Sequence, residues 1–232
     1  MSDIVELLKT LSEAPGISGY ENEVRNVMKS VLTPHVDTVT TDGLGSLIAY
    51  RETKKGLPNI MLSGHMDEVG LMVRYITSDG FIKFQTIGGW LDQALINQRW
   101  IILGKKGYIE GVSGIKTPHV MNAESRTQVF KRDQMFIDVG AKDKQDAEER
   151  LGITPGDPIA PQSKFTLLNG NDLYLGKAWD DRVGLAVMVE VIKKLNKKSL
   201  PNNLYAVSTV QEEIGLRGAH TSSHKINPDI GI

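Results

Sequence analysis

The sequence predicts an α/β domain laid down in two segments, residues 1–68 and 163–232, with a small β-barrel domain inserted at residues 69–162. Three observations carry this prediction. Amphipathic helices and a buried-type strand open the chain. Short alternating runs, broken by Gly-rich and Pro-rich turns, fill its middle. A buried helix followed by an apolar strand then restores the opening texture.

Ile4, Leu7, Leu8 and Leu11 recur at helical spacing behind Asp3, which predicts a first amphipathic helix. Ser18-Gly-Tyr-Glu21 has the spacing of a capping box and is expected to open a second helix, with Val24, Val27, Met28 and Val31 on its apolar face. After Pro34 the run VDTVTTDGLGSLIAYR alternates and turns at Asp42-Gly43. LPNIMLSGHMDEVG then supplies a short continuous apolar run, the pattern of a strand covered on both faces.

From about Val69 to Gln162 the runs GLMVRYITSDGFIKFQTIGG, WIILGKKGYIEGVSG, MFIDVGAKD and LGITPGDPIAPQ have the punctuation of an all-β barrel. DKQDAEERLG reads as one short helix within it. Beyond Asn169, DDRVGLAVMVEVIKKLNKK is expected to form a helix apolar nearly all round, its lysines placed at the C-terminal end of the dipole. A strand at 204–210 follows, introduced by LPNN much as the earlier one is introduced by LPNI.

Composition narrows the function. The 27 basic and 28 acidic residues leave a formal charge of -1, without the footprint of a nucleic-acid or anionic-membrane binder. A small or neutral partner is expected. The N-terminus lacks the pattern of a signal peptide, and no run approaches the length of a membrane span. There is no cysteine, so a metal must be held by His, Asp or Glu, and a cytoplasmic location is expected.

Three clusters carry candidate chemistry. In Ser63-Gly-His65-Met-Asp67 the imidazole and the carboxylate share one strand face, so Asp67 can accept from His65 and fix its tautomer; the same pair also serves as an ordinary hydrogen-bonded strand end. Trp179-Asp-Asp-Arg precedes the buried helix, where one Asp can cap and the other needs a separate explanation. Glu212 and Glu213 follow directly on an apolar strand. In open α/β sheets functional groups collect at the carboxyl ends of strands, so the three clusters are expected at one edge. Histidine with several carboxylates suits hydrolytic zinc, cobalt or manganese chemistry, with one acid left over as base. Spacing alone separates neither Glu212 from Glu213 nor Asp180 from Asp181. His220 and His224 in HTSSH have i, i+4 spacing without the glutamate of a zinc helix and read as surface residues. His119 in GIKTPH belongs to the β segment and is a further candidate, able to reach a site at the domain boundary, and His35 reads as structural.

Taken in order, SGHMDEVGLMV, GIKTPH, KAWDDRVGLAV and VQEEIGLRGA resemble the M42 family of metallo-aminopeptidases, which includes glutamyl aminopeptidases and the dodecameric TET peptidases. The resemblance covers essentially the whole chain. It implies a phosphorylase/hydrolase-like zinc-peptidase sheet with helices on both faces. It also implies a dinuclear centre of zinc, cobalt or manganese, with His65 and Glu213 each binding one metal and Asp180 bridging both. Glu212 would be the general base and Asp67 would orient His65. Peptides would be the substrate and a homo-oligomer, possibly a dodecamer, the assembly.

The chain departs from the family by ending 19 residues past Glu213, at INPDIGI, before a further Asp and a later His ligand. The expectation is therefore a C-terminally truncated aminopeptidase of weak or absent activity. The alternatives are a non-catalytic assembly or binding fragment with a vestigial metal site, and a carbohydrate hydrolase using a carboxylate pair without metal, against which His65 and Asp67 argue.

Overall fold

The computed structural model describes residues 3–51, 53, 56–116, 129–170, 173–196 and 198–232. They divide into two units, Met1–Glu68 with Lys164–Ile232, and Val69–Ser163. The first unit opens with helices α1 (Asp3–Glu13) and α2 (Asn22–Leu32) and strands β1 (Thr38–Thr41), β2 (Leu47–Arg51) and β3 (Asn59–His65). The second holds β4 (Gly70–Ile76), β5 (Ile82–Ile87), β6 (Arg99–Gly104), β7 (Gly107–Gly114), β8 (Phe136–Asp138) and β9 (Pro158–Pro161). The first then resumes with β10 (Thr166–Leu168), β11 (Leu173–Leu175), α3 (Trp179–Leu195), β12 (Asn203–Thr209), α4 (Arg217–Ile226) and β13 (Ile230–Gly231).

The main sheet has the order β1-β2-β12-β3-β13. β1 and β2 form an antiparallel hairpin, turned as expected at Asp42, whose Oδ1 accepts the amides of Leu44, Gly45 and Ser46 at 2.8–3.0 Å. β12 and β3 run parallel with Asn203 opposite Asn59 and Thr209 opposite His65. Asn203 sets that register: its amide N–H donates to the Pro58 carbonyl at 2.9 Å and its side-chain Nδ2 to Asn59 Oδ1 at 3.1 Å. Two strands that start level and have seven residues each also finish level.

Helices cover both faces of the sheet. On one, Leu7 and Leu11 of α1, Met28 of α2 and Leu185, Val189 and Ile192 of α3 pack with Leu47, Ala49, Leu204 and Ala206. On the other, Ile226 of α4 packs with Ile48, Met61 and Val207. Each fully buried Leu or Ile contributes roughly 1.5–3 kcal/mol. α3 departs from the expectation of an all-round apolar burial, because Val183 and Val187, one turn apart, are 40% and 56% exposed on its outer side. Gly64 lets α3 approach β3 closely, since a Cβ there would meet Asp181 Oδ2 at 2.9 Å and the Leu185 amide nitrogen at 3.2 Å.

The second unit is a closed barrel in the order β4-β5-β8-β7-β6-β9, filled by Leu71, Ile82, Trp100, Ile102, Ile137 and Ile159. The short helix expected around DKQDAEERLG is a single wide turn of π type, Asp146–Leu151, ended by Gly152 at φ 76°. Among the described residues no helix is long and apolar enough to cross a membrane.

The expected capping box is not formed. α2 begins at Asn22, after the Ser18–Glu21 segment, and no side chain caps it. Ser18 Oγ donates instead to Asp67 Oδ2 at 2.6 Å, and Glu21 Oε1 accepts the amides of Gly19 at 2.7 Å and Gln211 at 3.2 Å. The loop is drawn away from the helix end by acceptors and donors at the carboxyl edge of the sheet.

Candidate metal centre

His65 ends β3 and is 7% exposed. Its Nδ1 lies 3.0 Å from the backbone carbonyl of Asp67, and that oxygen can only accept, so Nδ1 carries the proton. The partner differs from the sequence expectation in its atom: the Asp67 carboxylate is 3.7 Å away and serves the backbone of a different loop. Nε2 is left with a lone pair, facing Asp180 Oδ1 at 2.9 Å and Glu212 Oε2 at 3.8 Å. Two carboxylate oxygens around a lone pair call for a cation between them, either a proton or a metal ion.

Asp180 and Asp181 have different tasks. Both have non-helical backbone angles, so the helix proper starts after them. Asp181 Oδ1 accepts the Gly184 amide at 3.0 Å, which is the N-capping bond, and its Oδ2 accepts the His65 amide at 3.3 Å. Capping therefore uses Asp181 and leaves Asp180 pointing at the imidazole.

The paired glutamates sit on a sharp bend after β12. Gln211 adopts φ 56°, a left-handed conformation that costs a non-glycine residue about 1–3 kcal/mol unless its surroundings hold it. Asp67, fully buried, accepts the Glu212 amide at Oδ1 (3.0 Å) and the Glu213 amide at Oδ2 (3.1 Å). Burial pushes the Glu213 carboxyl above its usual range; His65 opposes the shift, while Glu212, Asp67 and Asp180 add to it. Ligand atoms of His65, Asp180 and Glu213 all lie within 4.8 Å of one another. An imidazole nitrogen with two carboxylates is a donor set that fits zinc, cobalt or manganese.

The sequence profile described as M42 glutamyl aminopeptidase matches residues 45–232. The chain belongs to the M42 family. It is 44% identical to FrvX of Escherichia coli K12 over 98% of this chain and 63% of the relative. The TET aminopeptidase of the marine sediment archaeon Thaumarchaeota archaeon SCGC AB-539-E09 superimposes with a TM-score of 0.94 at 40% identity, covering 99% of this chain and 65% of that one. The TET1 peptidase of Pyrococcus horikoshii, which assembles into a tetrahedron or a large octahedral shell, gives 0.88 at 32% identity, covering 99% and 67%. The chain thus spans about two thirds of the length of these M42 relatives.

The three residues that the M42 resemblance names as ligands are the three that converge, with Glu212 beside them. Among the described residues the other histidines do not join them: His220 and His224 are exposed on α4, and His35 Nδ1 pairs with Asn196 at 3.0 Å. His119 lies outside the described residues.

Sequence reasoning missed the buried charged groups that adjoin the candidate site. Glu68, next to Asp67, is 2% exposed and pairs with Lys177, 8% exposed; fully buried Arg182, next to Asp181, lies 3.8 Å from the same Glu68 oxygen. Arg182 also donates to the carbonyls of Leu11 (2.5 Å) and Ala14 (3.1 Å), tying the end of α1 to the start of α3. Burial holds both cations below their usual pKa values, with Glu68 opposing the shift. The available signal was adjacency. In Asp67-Glu68 and Asp181-Arg182, one residue bonds the backbone at the site and its neighbour turns into the interior pair.

Proposed function

We propose that the protein is a metal-dependent aminopeptidase that releases N-terminal residues from short peptides, with His65, Asp180 and Glu213 as metal ligands and Glu212 as general base. The observation that carries this reading is the His65 tautomer. With Nδ1–H committed to the Asp67 carbonyl, Nε2 offers its lone pair where Asp180 and Glu213 also present oxygens. In a centre of two zinc, cobalt or manganese ions, Asp180 would be the shared ligand. Divalent ions held there would supply a more acidic water and polarise the scissile carbonyl.

Glu212 takes the proton from the attacking water and passes it to the leaving amine. Its side chain reaches the ligand set, at 3.8 Å from His65 Nε2, while its amide is fixed by Asp67. Asp67 thus sets the His65 tautomer through its carbonyl and the glutamate turn through its carboxylate. The TET relatives support a homo-oligomer as the working assembly.

The test is a cobalt titration of chelator-treated protein, followed by visible absorbance, with hydrolysis of aminoacyl anilides measured in parallel. Uptake that is lost in His65→Ala, together with chelator-sensitive hydrolysis, is the expected result. Hydrolysis unaffected by chelator would overturn the reading.

A further inference from the structure

The amides of Gln211, Glu212 and Glu213 are consecutive, and each ends on a buried carboxylate. Asp67 takes the second and third and lies two residues beyond His65, so its presence follows from β3. Glu21 takes the first and comes from the loop between α1 and α2, far off in sequence. Its side chain is nearly sealed from solvent at 2% exposure, an expensive place for a carboxyl group unless its oxygens are bonded. Oε1 accepts from Gly19, whose φ of 89° folds the loop back on itself, and from Gln211, the one residue between Val210 and the paired glutamates with a left-handed backbone.

We infer that Glu21 is a positioning residue for the paired glutamates: its buried oxygen holds the Gln211 amide and with it the left-handed bend that turns Glu212 and Glu213 back over His65. The bend turns the chain at once after β12, where a continued extended strand would carry both acids past the end of β3. Ser18 completes the arrangement from the same loop by donating to Asp67 Oδ2, the oxygen that also accepts the Glu213 amide. A loop that spacing assigns to helix capping thereby sets where a ligand and a base point.

The consequence for metal binding rests on the function proposed above, while the bend itself does not. Two measurements on the full chain keep them apart: amide hydrogen exchange at residues 211–213 by NMR, without metal, and cobalt affinity by visible absorbance. Glu21→Ala is expected to speed exchange at Gln211 and to weaken cobalt binding about 10-fold or more, the range of supporting contacts at metal sites. Glu21→Gln, which keeps an acceptor oxygen, is expected to restore most of both. Gln211→Gly added to Glu21→Ala is expected to recover part of the cobalt affinity, because glycine adopts the bend freely.

Unchanged exchange and affinity in Glu21→Ala would overturn the inference, as would equal losses in the Ala and Gln variants. Should Glu21→Ala fail to fold, Glu21→Leu, closer in volume, takes its place against Glu21→Gln. A wild-type chain that takes up no cobalt would sink the metal reading, and the exchange rates would still decide on Glu21.

Discussion

Asp67 and Glu213 are joined through a side chain and a backbone: Oδ2 of the first accepts the amide of the second at 3.1 Å. The other oxygen holds the Glu212 amide in the same way. Asparagine at position 67 would present one acceptor and one donor to two donors, so one amide would be left facing an N–H. Asp67→Asn is expected to lower metal affinity and activity by about 10- to 100-fold, with the His65 Nδ1 contact to the residue 67 carbonyl retained. Cobalt titration against the wild type checks it, and unchanged affinity would contradict the role given to Asp67.

Glu212→Gln separates proton transfer from metal binding. Loss of a general base is expected to reduce kcat roughly 100- to 10,000-fold, while cobalt affinity stays close to wild type because Glu212 is not among the three ligands. Parallel loss of metal would instead make Glu212 a ligand.

Glu68→Ala would leave Lys177 and Arg182 buried without their shared carboxylate. Removing one partner from a buried charge cluster costs about 3–5 kcal/mol, and that destabilisation is expected here in urea unfolding monitored by circular dichroism. A change below about 1 kcal/mol, the scale of exposed pairs, would show that water reaches the cluster.

Asp42 gives the fold an acid-sensitive fastening. Burial raises its pKa, but hydrogen bonds from Thr221, Ser46, Gly45 and Ser222 outweigh that and leave it below its ordinary 3.8. A carboxylate with a depressed folded pKa stabilises fully above its unfolded value, and that contribution disappears as pH falls through the folded one. Between pH 6 and pH 3 the thermal midpoint of the wild type should therefore fall more than that of Asp42→Asn, which loses the pH-dependent part. Parallel curves would show that Asp42 titrates alike in both states.

The sequence was most informative where one physical effect dominates. Apolar periodicity placed α1, β3, α3 and β12, because burial on a helix stripe or a covered strand leaves few alternatives. The barrel was legible from its turns. The site was legible as three acidic and imidazole clusters at strand and helix ends, though which Asp faced the imidazole awaited the Asp181 cap. Less visible was what depends on distant partners. Ser18 and Glu21 match a capping box in spacing, yet stronger partners lie at residues 67 and 211. Glu68, Lys177 and Arg182 look like surface charges until the chain has folded around them. The exposure of Val183 and Val187 escaped for the opposite reason, since an apolar side chain does not announce which side of a helix will be covered.

The level start of β3 and β12, set by Asn203 against Asn59, makes the two strands a pair of rulers. Their lengths are locked to each other, because slipping one by a single residue would turn alternate side chains to the opposite face and carry His65 or the glutamate bend out of range. The separate unit Val69–Ser163, inserted between the rulers, does not enter that register. Insertions and deletions among homologues should therefore concentrate there, and spare the seven residues of each strand together with Asp67 and the segment around Asp180.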